Sequence, residues 1–309
     1  MRFQGAAMPA FQATFTKPMV QTLIPAVLLA VLAASVVQQS GLLDAAPADA
    51  ALHEPRTVVI QPRQFSYRGD GEYLRGSYVV DAPMVTVTET RPLTIMKFQV
   101  SIGDYETCVA DYVCDPPEGI STAQPDLPVT GVSYDDAQTY AAWLSRKTGS
   151  FWTLPSDRQL AFAAGTSFPD DALGLDPNGN NPAIRWLADY RREAAERAKR
   201  DPAPRILGSF GENEHGLADF GGNVWEWTDT CHQRVQLKSD GSVRSIEPTC
   251  GVYVTVGNHR SPMTSFVRDP RGGGCAVGTP PDHLGFRLIR STRWYAPLLN
   301  RLRDRGIQL

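Results

Sequence analysis

The densest run of chemistry-bearing side chains is DFGGNVWEWTDT, residues 219–230. If the stretch is extended, Trp225 and Trp227 share one face while Val224, Glu226 and Thr228 share the other, because side chains alternate along a strand. Glu226 then sits between two large rings and must be solvated, hydrogen-bonded or paired with a cation, since an unpaired carboxylate is costly to desolvate. Asp219 offers a second anionic side chain. Gly221 and Gly222 let the chain bend so that backbone carbonyls converge, which is the oxygen-only donor set that calcium selects. The competing reading is a strand whose tryptophans are core and whose acids face water.

The remaining reactive residues form few patterns. The histidines (His53, His215, His232, His259, His283) make neither HExxH nor a short His pair, so a zinc site has no support. No GxSxG, P-loop or kinase signature occurs. RGGGCAVG, residues 271–278, lacks GxGxxG spacing and follows an Asp-Pro turn, which argues against a dinucleotide site and for close backbone approach. The Cys275 within it is either a reactive thiol or a buried, unpaired cysteine.

Residues 19–37, MVQTLIPAVLLAVLAASVV, carry no charge, follow Arg2 and Lys17, and precede an Ala- and Pro-rich stretch. Their length lies between a cleaved signal and an uncleaved anchor, and the preceding positive charges predict a cytoplasmic N-terminus with the rest exported. The expected location is therefore periplasmic or otherwise extracytoplasmic, with residues 19–37 as the membrane contact. In an oxidising compartment, neighbouring Cys108 and Cys114 suggest one disulfide and Cys231 and Cys250 a second, leaving Cys275 over, although spacing alone does not settle connectivity. A net charge of -3 and the lack of any basic run with interleaved aromatics exclude nucleic acid as the expected partner.

The elements that must position these residues are short. The 26 glycines and 24 prolines favour many turns over long helices and a doubly wound sheet. Val85 to Thr90 alternates, and Leu93 to Phe98 reads as a second extended piece. Ser101 caps a helix carrying Tyr105, Cys108 and Val109. Ser133 with Asp136 opens the clearest helix, with the stripe Ala137, Tyr140, Ala141 and Leu144 and a stop at Gly149. Ser156 with Gln159 opens a third, ending before Gly165. The charged DYRREAAERAKR reads as a solvated helix or insertion. From Ile206 onward, short strands and Gly-rich turns are expected.

Four stretches taken together resemble the formylglycine-generating enzyme, or sulfatase-modifying factor, family: PVTGVSYDDAQTYAAWLSRKTGSFWTLPSDRQLAFAAG, ILGSFGENEHGLADFGGNVWEWTDT, the GNHRSP region and GTPPDHLGFRLIR. The resemblance implies an α+β domain, compact, related to C-type lectins, with short strands, few helices and many loops. It implies a structural calcium ion held by Asp219 and Glu226 side chains and the Gly222 and Val224 carbonyls, and a second calcium site near Asp189. The family's best-known activity, copper-dependent oxidation of a substrate cysteine to formylglycine, uses two neighbouring cysteines. Val252 to Arg268, where they are expected, contains none, and one thiolate cannot build a copper(I) bis-thiolate. Iron-dependent branches use histidines, for which His259 is the candidate, as Cys275 is for thiol chemistry.

The implied organisation is a signal or anchor segment (1–40), a tether and lead-in (41–80), the family domain (81–292) and a tail (293–309). The expected function is an exported family member without formylglycine-generating activity that serves as an accessory or maturation factor for a periplasmic redox enzyme, resembling members that accompany nitrite reductases. The alternative is an oxidoreductase acting on a sulfur or amine group, with Cys275, His259, Arg260 and Arg287 lining one pocket.

Overall fold

Three serine caps, two of them reciprocal, set the helices. In the computed structural model, which describes residues 54–119, 124–172, 203–271 and 281–291 with isolated positions at 174, between 183 and 194, and at 295 and 298, Ser101 accepts from the Asp104 amide and opens helix α1 (Ile102–Ala110). Ser133 and Asp136 bond each other's backbone amides at the start of α2 (Tyr134–Thr148), and Gly149 ends it in the left-handed region at φ 68°. Ser156 and Gln159 do the same for α3 (Asp157–Ala164). The apolar stripe of α2 lies buried in full, as its spacing requires.

The strands are β1 (Thr57–Ile60), β2 (Arg63–Arg68), β3 (Glu72–Arg75), β4 (Tyr78–Val80), β5 (Met84–Glu89), β6 (Leu93–Met96), β7 (Phe151–Thr153), β8 (Trp225–Leu237), β9 (Val243–Val256), β10 (Arg260–Thr264), β11 (Leu284–Gly285) and β12 (Ile289–Ser291). They form a four-stranded sheet in the order β1-β6-β12-β7, a six-stranded sheet in the order β10-β9-β8-β3-β4 with β11 added to β8, and the β2-β5 pair. Few helices among many strands and loops make this an α+β fold of the expected kind. One large core joins α1, α2 and the aromatic residues of β7 and β8; a second packs α3 against β1, β6 and the end of β9.

Two expectations gain detail. Residues 57–80, expected as the lead-in that follows the tether, form four strands, of which β1 pairs with β6 and β3 runs parallel to β8. Ile60 and Tyr73 are buried there, yet strands of three to six residues are too short for a clear alternating pattern. The region after Ile206 holds not only short strands but the longest hairpin described, β8 with β9, closed by a turn in which the Lys238 amide donates to Ser242 O at 2.8 Å. Much of β9 is exposed, so backbone pairing sustains it without an apolar stripe to advertise it, and register shifts near Cys231 break what alternation exists.

Among the described residues, no helix is long and apolar enough to cross a membrane. Residues 19–37, Asp189, Cys275 and most of DYRREAAERAKR lie outside the described residues.

Candidate functional site

The GNVWEW and LGFR stretches meet. β11 pairs in parallel with the start of β8, Leu284 opposite Trp225 and Gly285 opposite Glu226. A Cβ on Gly285 would stand 2.5 Å from the Val129 carbonyl oxygen, so this strand can approach only as glycine. The next turn of chain delivers Arg287 onto Glu226. The guanidinium Nε donates to Oε2 and Nη2 to Oε1, both at 2.6 Å, and neither side chain has any exposure. Gln99 Nε2 donates to Oε1 at 2.8 Å, while Arg287 also donates to the carbonyls of Lys97 and Ala218, each at 3.0 Å. A bidentate fork with every remaining donor aimed at a carbonyl is the geometry in which a buried ion pair repays its desolvation.

The tryptophans hold the opposite side. Trp227 Nε1 donates to Val132 O at 3.0 Å, and its ring meets Tyr134 edge-on. Trp225 meets the His259 ring edge-on at 4.3 Å and lies over Gly257, where a Cβ would overlap the indole. Of the choices open for Glu226, the structure takes pairing with a cation; the reading in which the acids face water fails, since Asp219 is buried too.

Asp219 has a positive φ of 59° and turns both carboxylate oxygens onto backbone amides, Oδ1 accepting from Phe210 N at 2.8 Å and Oδ2 from Gly208 N. Both side chains named for the calcium ion are thus engaged, Glu226 by a guanidinium and Asp219 by a loop. Of the surrounding buried side-chain oxygens, Gln99 Oε1 lacks a partner among the described residues. As folded, the side chains of Asp219 and Glu226 are fastened within a turn by backbone amides and by the Arg287 guanidinium.

The other named residues do not converge. Four of the five cysteines are joined as expected, Cys108 to Cys114 with Cα atoms 5.3 Å apart and Cys231 to Cys250 at 4.8 Å. The first lies in the core at the end of α1; the second clips the β8-β9 hairpin. His259 sits in the β9-β10 turn against Trp225, Arg260 lines a cavity over the six-stranded sheet, and Arg287 is sealed in the core. The single pocket expected to join His259, Arg260 and Arg287 is therefore not formed. Among the described residues, no group of His, Cys, Asp and Glu is placed to hold a metal.

The segment 252–268 ends at Arg268, which lines an open cavity of about 610 Å³ with Glu118, Asp269, Arg271 and His283. Arg268 is held from below by a fork onto Asp136, Nη2 to Oδ1 at 2.6 Å and Nε to Oδ2 at 2.7 Å. Nothing in the sequence singled out Arg268, and Asp136 was legible only as a cap. The polar rim suits the docking of a polar ligand or peptide.

A domain of this architecture with GNVWEW fastened to LGFR defines a class. Residues 43–292 match the family described as sulfatase-modifying factor enzyme 1-like domain, and the chain belongs to that family. The inactive C-alpha-formylglycine-generating enzyme 2 of Bos taurus is 28% identical over 170 residues, 52% of this chain and 50% of that protein. The formylglycine-generating enzyme of Streptomyces coelicolor is 34% identical over 119 residues, 36% of this chain and 35% of that one. The chain spans about half the length of the first of these relatives. Among solved structures, PvdO from Pseudomonas aeruginosa is similar at 23% identity and a TM-score of 0.48, covering 77% of this chain and 94% of that one.

Proposed function

We propose that this protein is an exported member of the family that does not generate formylglycine and instead binds and supports a periplasmic redox enzyme, held to the membrane by residues 19–37 or released from it. The carrying observation is the state of its thiols. Four of five cysteines are committed to disulfides, the stretch 252–268 has none, and Cys275 alone remains. A copper(I) bis-thiolate needs two thiolates side by side. Similarity to both active and inactive relatives is compatible with loss of the chemistry on a retained scaffold.

The cavity at Arg268 supplies the binding function in this reading. Its guanidinium is pre-positioned by Asp136, so a carbonyl-rich segment of a partner would meet an ordered donor at little entropic cost. The test uses the purified full chain, loaded with copper(I) under reducing conditions and offered a cysteine-containing sulfatase peptide. No aldehyde should appear by mass spectrometry, and the Cys275→Ser variant should behave identically. Turnover that disappears in Cys275→Ser would overturn the proposal.

A further inference from the structure

The loop that follows α1 is closed and pinned. Cys108 and Cys114 bridge it with Cα atoms 5.3 Å apart, and both are buried. Inside it the Asp111 carboxylate accepts from Trp143 Nε1 at 2.7 Å and pairs with Lys147 at 3.0 Å, which ties the loop to α2. The Tyr112 amide donates to Val109 O at 2.9 Å, and the Val113 and Cys114 amides reach Cys108 O at 3.3 and 3.4 Å. The backbone here is ordered before anything binds to it.

What this backbone holds out is Tyr112. It follows the helix C-cap, Asp111, with φ 58°. Glycine or asparagine usually takes that position, because the left-handed region crowds a Cβ. Two non-glycine residues described have a positive φ. Asp219 is one, and its backbone aims a carboxylate at two amides. Tyr112 is the other, and it gains no such contact: it is 97% exposed, and its phenol has no hydrogen-bond partner among the described residues. Val113 beside it is exposed as well. Neither the closure of the loop nor its packing calls for a tyrosine there. A rigidly mounted aromatic ring with a polar tip is the side chain that most often anchors a protein interface.

The surrounding charge selects the partner. Residues 102–119 carry five acids, Asp104, Glu106, Asp111, Asp115 and Glu118, and no Lys or Arg. Lys147 pairs with Asp111, and Arg268 with Asp115 and Glu118, so the patch stays acidic. We propose that the Cys108–Cys114 loop docks on a partner protein, Tyr112 filling an apolar pocket whose rim carries Arg or Lys. A cationic rim meets both the carboxylates and the ring face. Neither the Arg268 cavity nor a redox role for the partner is needed for this contact.

Photo-crosslinking in the cells that make the protein tests this, with p-benzoylphenylalanine replacing Tyr112 in the full chain or, as control, the exposed Ser239 of the β8-β9 turn. A protein adduct should form at Tyr112 and not at Ser239, its crosslinked peptide carrying Arg or Lys. With that protein purified, Tyr112→Gly should weaken binding about tenfold or more, Tyr112→Phe should keep most of it, and added salt should weaken it. Tyr112→Gly relieves the left-handed backbone and should leave Tm unchanged or raise it by about 2–4 °C, which separates loss of binding from loss of fold. The proposal is overturned if the Tyr112 position gives no adduct, only lipid, only a second copy of this chain, or the adducts seen at Ser239. It is overturned equally if Tyr112→Gly binds as well as wild type or lowers Tm.

Discussion

Arg287→Met removes the cation on which the centre of the molecule closes. The side chain donates both its fork bonds to Glu226 and further bonds to the carbonyls of Lys97 and Ala218. Methionine nearly fills the volume but donates nothing, so Glu226 is left buried with Gln99 as its remaining side-chain donor. Breaking a buried pair by removing one partner costs about 3–5 kcal/mol, and each neutral carbonyl left unpaired adds to that. For a domain of this size that corresponds to a fall in Tm on the order of 10 °C. Differential scanning calorimetry of wild type, Arg287→Met, Glu226→Leu and the double variant forms the cycle. The double variant should be more stable than Arg287→Met alone, because no stranded charge remains. A loss under about 1 kcal/mol for Arg287→Met, or strictly additive losses, would refute the ion pair as the fastening of the two motifs.

Calcium should leave the wild-type Tm unchanged, since an ion at Asp219 and Glu226 must displace Arg287; a rise that grows with calcium concentration would restore the ion to this turn. Gly285→Ala should cost about 1–3 kcal/mol in chemical denaturation, because its Cβ meets the Val129 carbonyl and backbone must move; an unchanged midpoint would mean β11 is not seated as described. Burial, only partly offset by Arg260, raises the Asp157 carboxyl from 3.8 to about 7. Between those values the folded chain holds a proton that the unfolded chain has released, so stability is greatest below about pH 4 for this group and is lost as pH rises through about 7. Asp157→Asn should flatten that part of the wild-type stability profile, a difference of at most about 4 kcal/mol in slope summed over the window; identical profiles would refute it.

The helices were legible to within a residue or two because their signals are local: Ser133 with Asp136, Ser156 with Gln159 and Gly149 each act within one turn. The disulfides were legible because both pairs are close in sequence and the hairpin that carries the second brings its ends together. What the sequence could not show is long-range pairing. Glu226 was rightly seen to need a hydrogen bond or a cation, but the cation lies 61 positions on, and no local pattern links it to the turn. The partners of the two acids named for calcium were hidden on the same ground: only the fold shows that amides meet Asp219 and a guanidinium meets Glu226.

The state of the cysteines tests the central claim most directly. Purified full chain is unfolded without reductant, alkylated, digested and mapped by mass spectrometry. The structure predicts Cys108 linked to Cys114, Cys231 linked to Cys250, and Cys275 as the single alkylated position. Alkylation of Cys275 together with a second cysteine would supply the two thiols that copper(I) needs and would contradict the account.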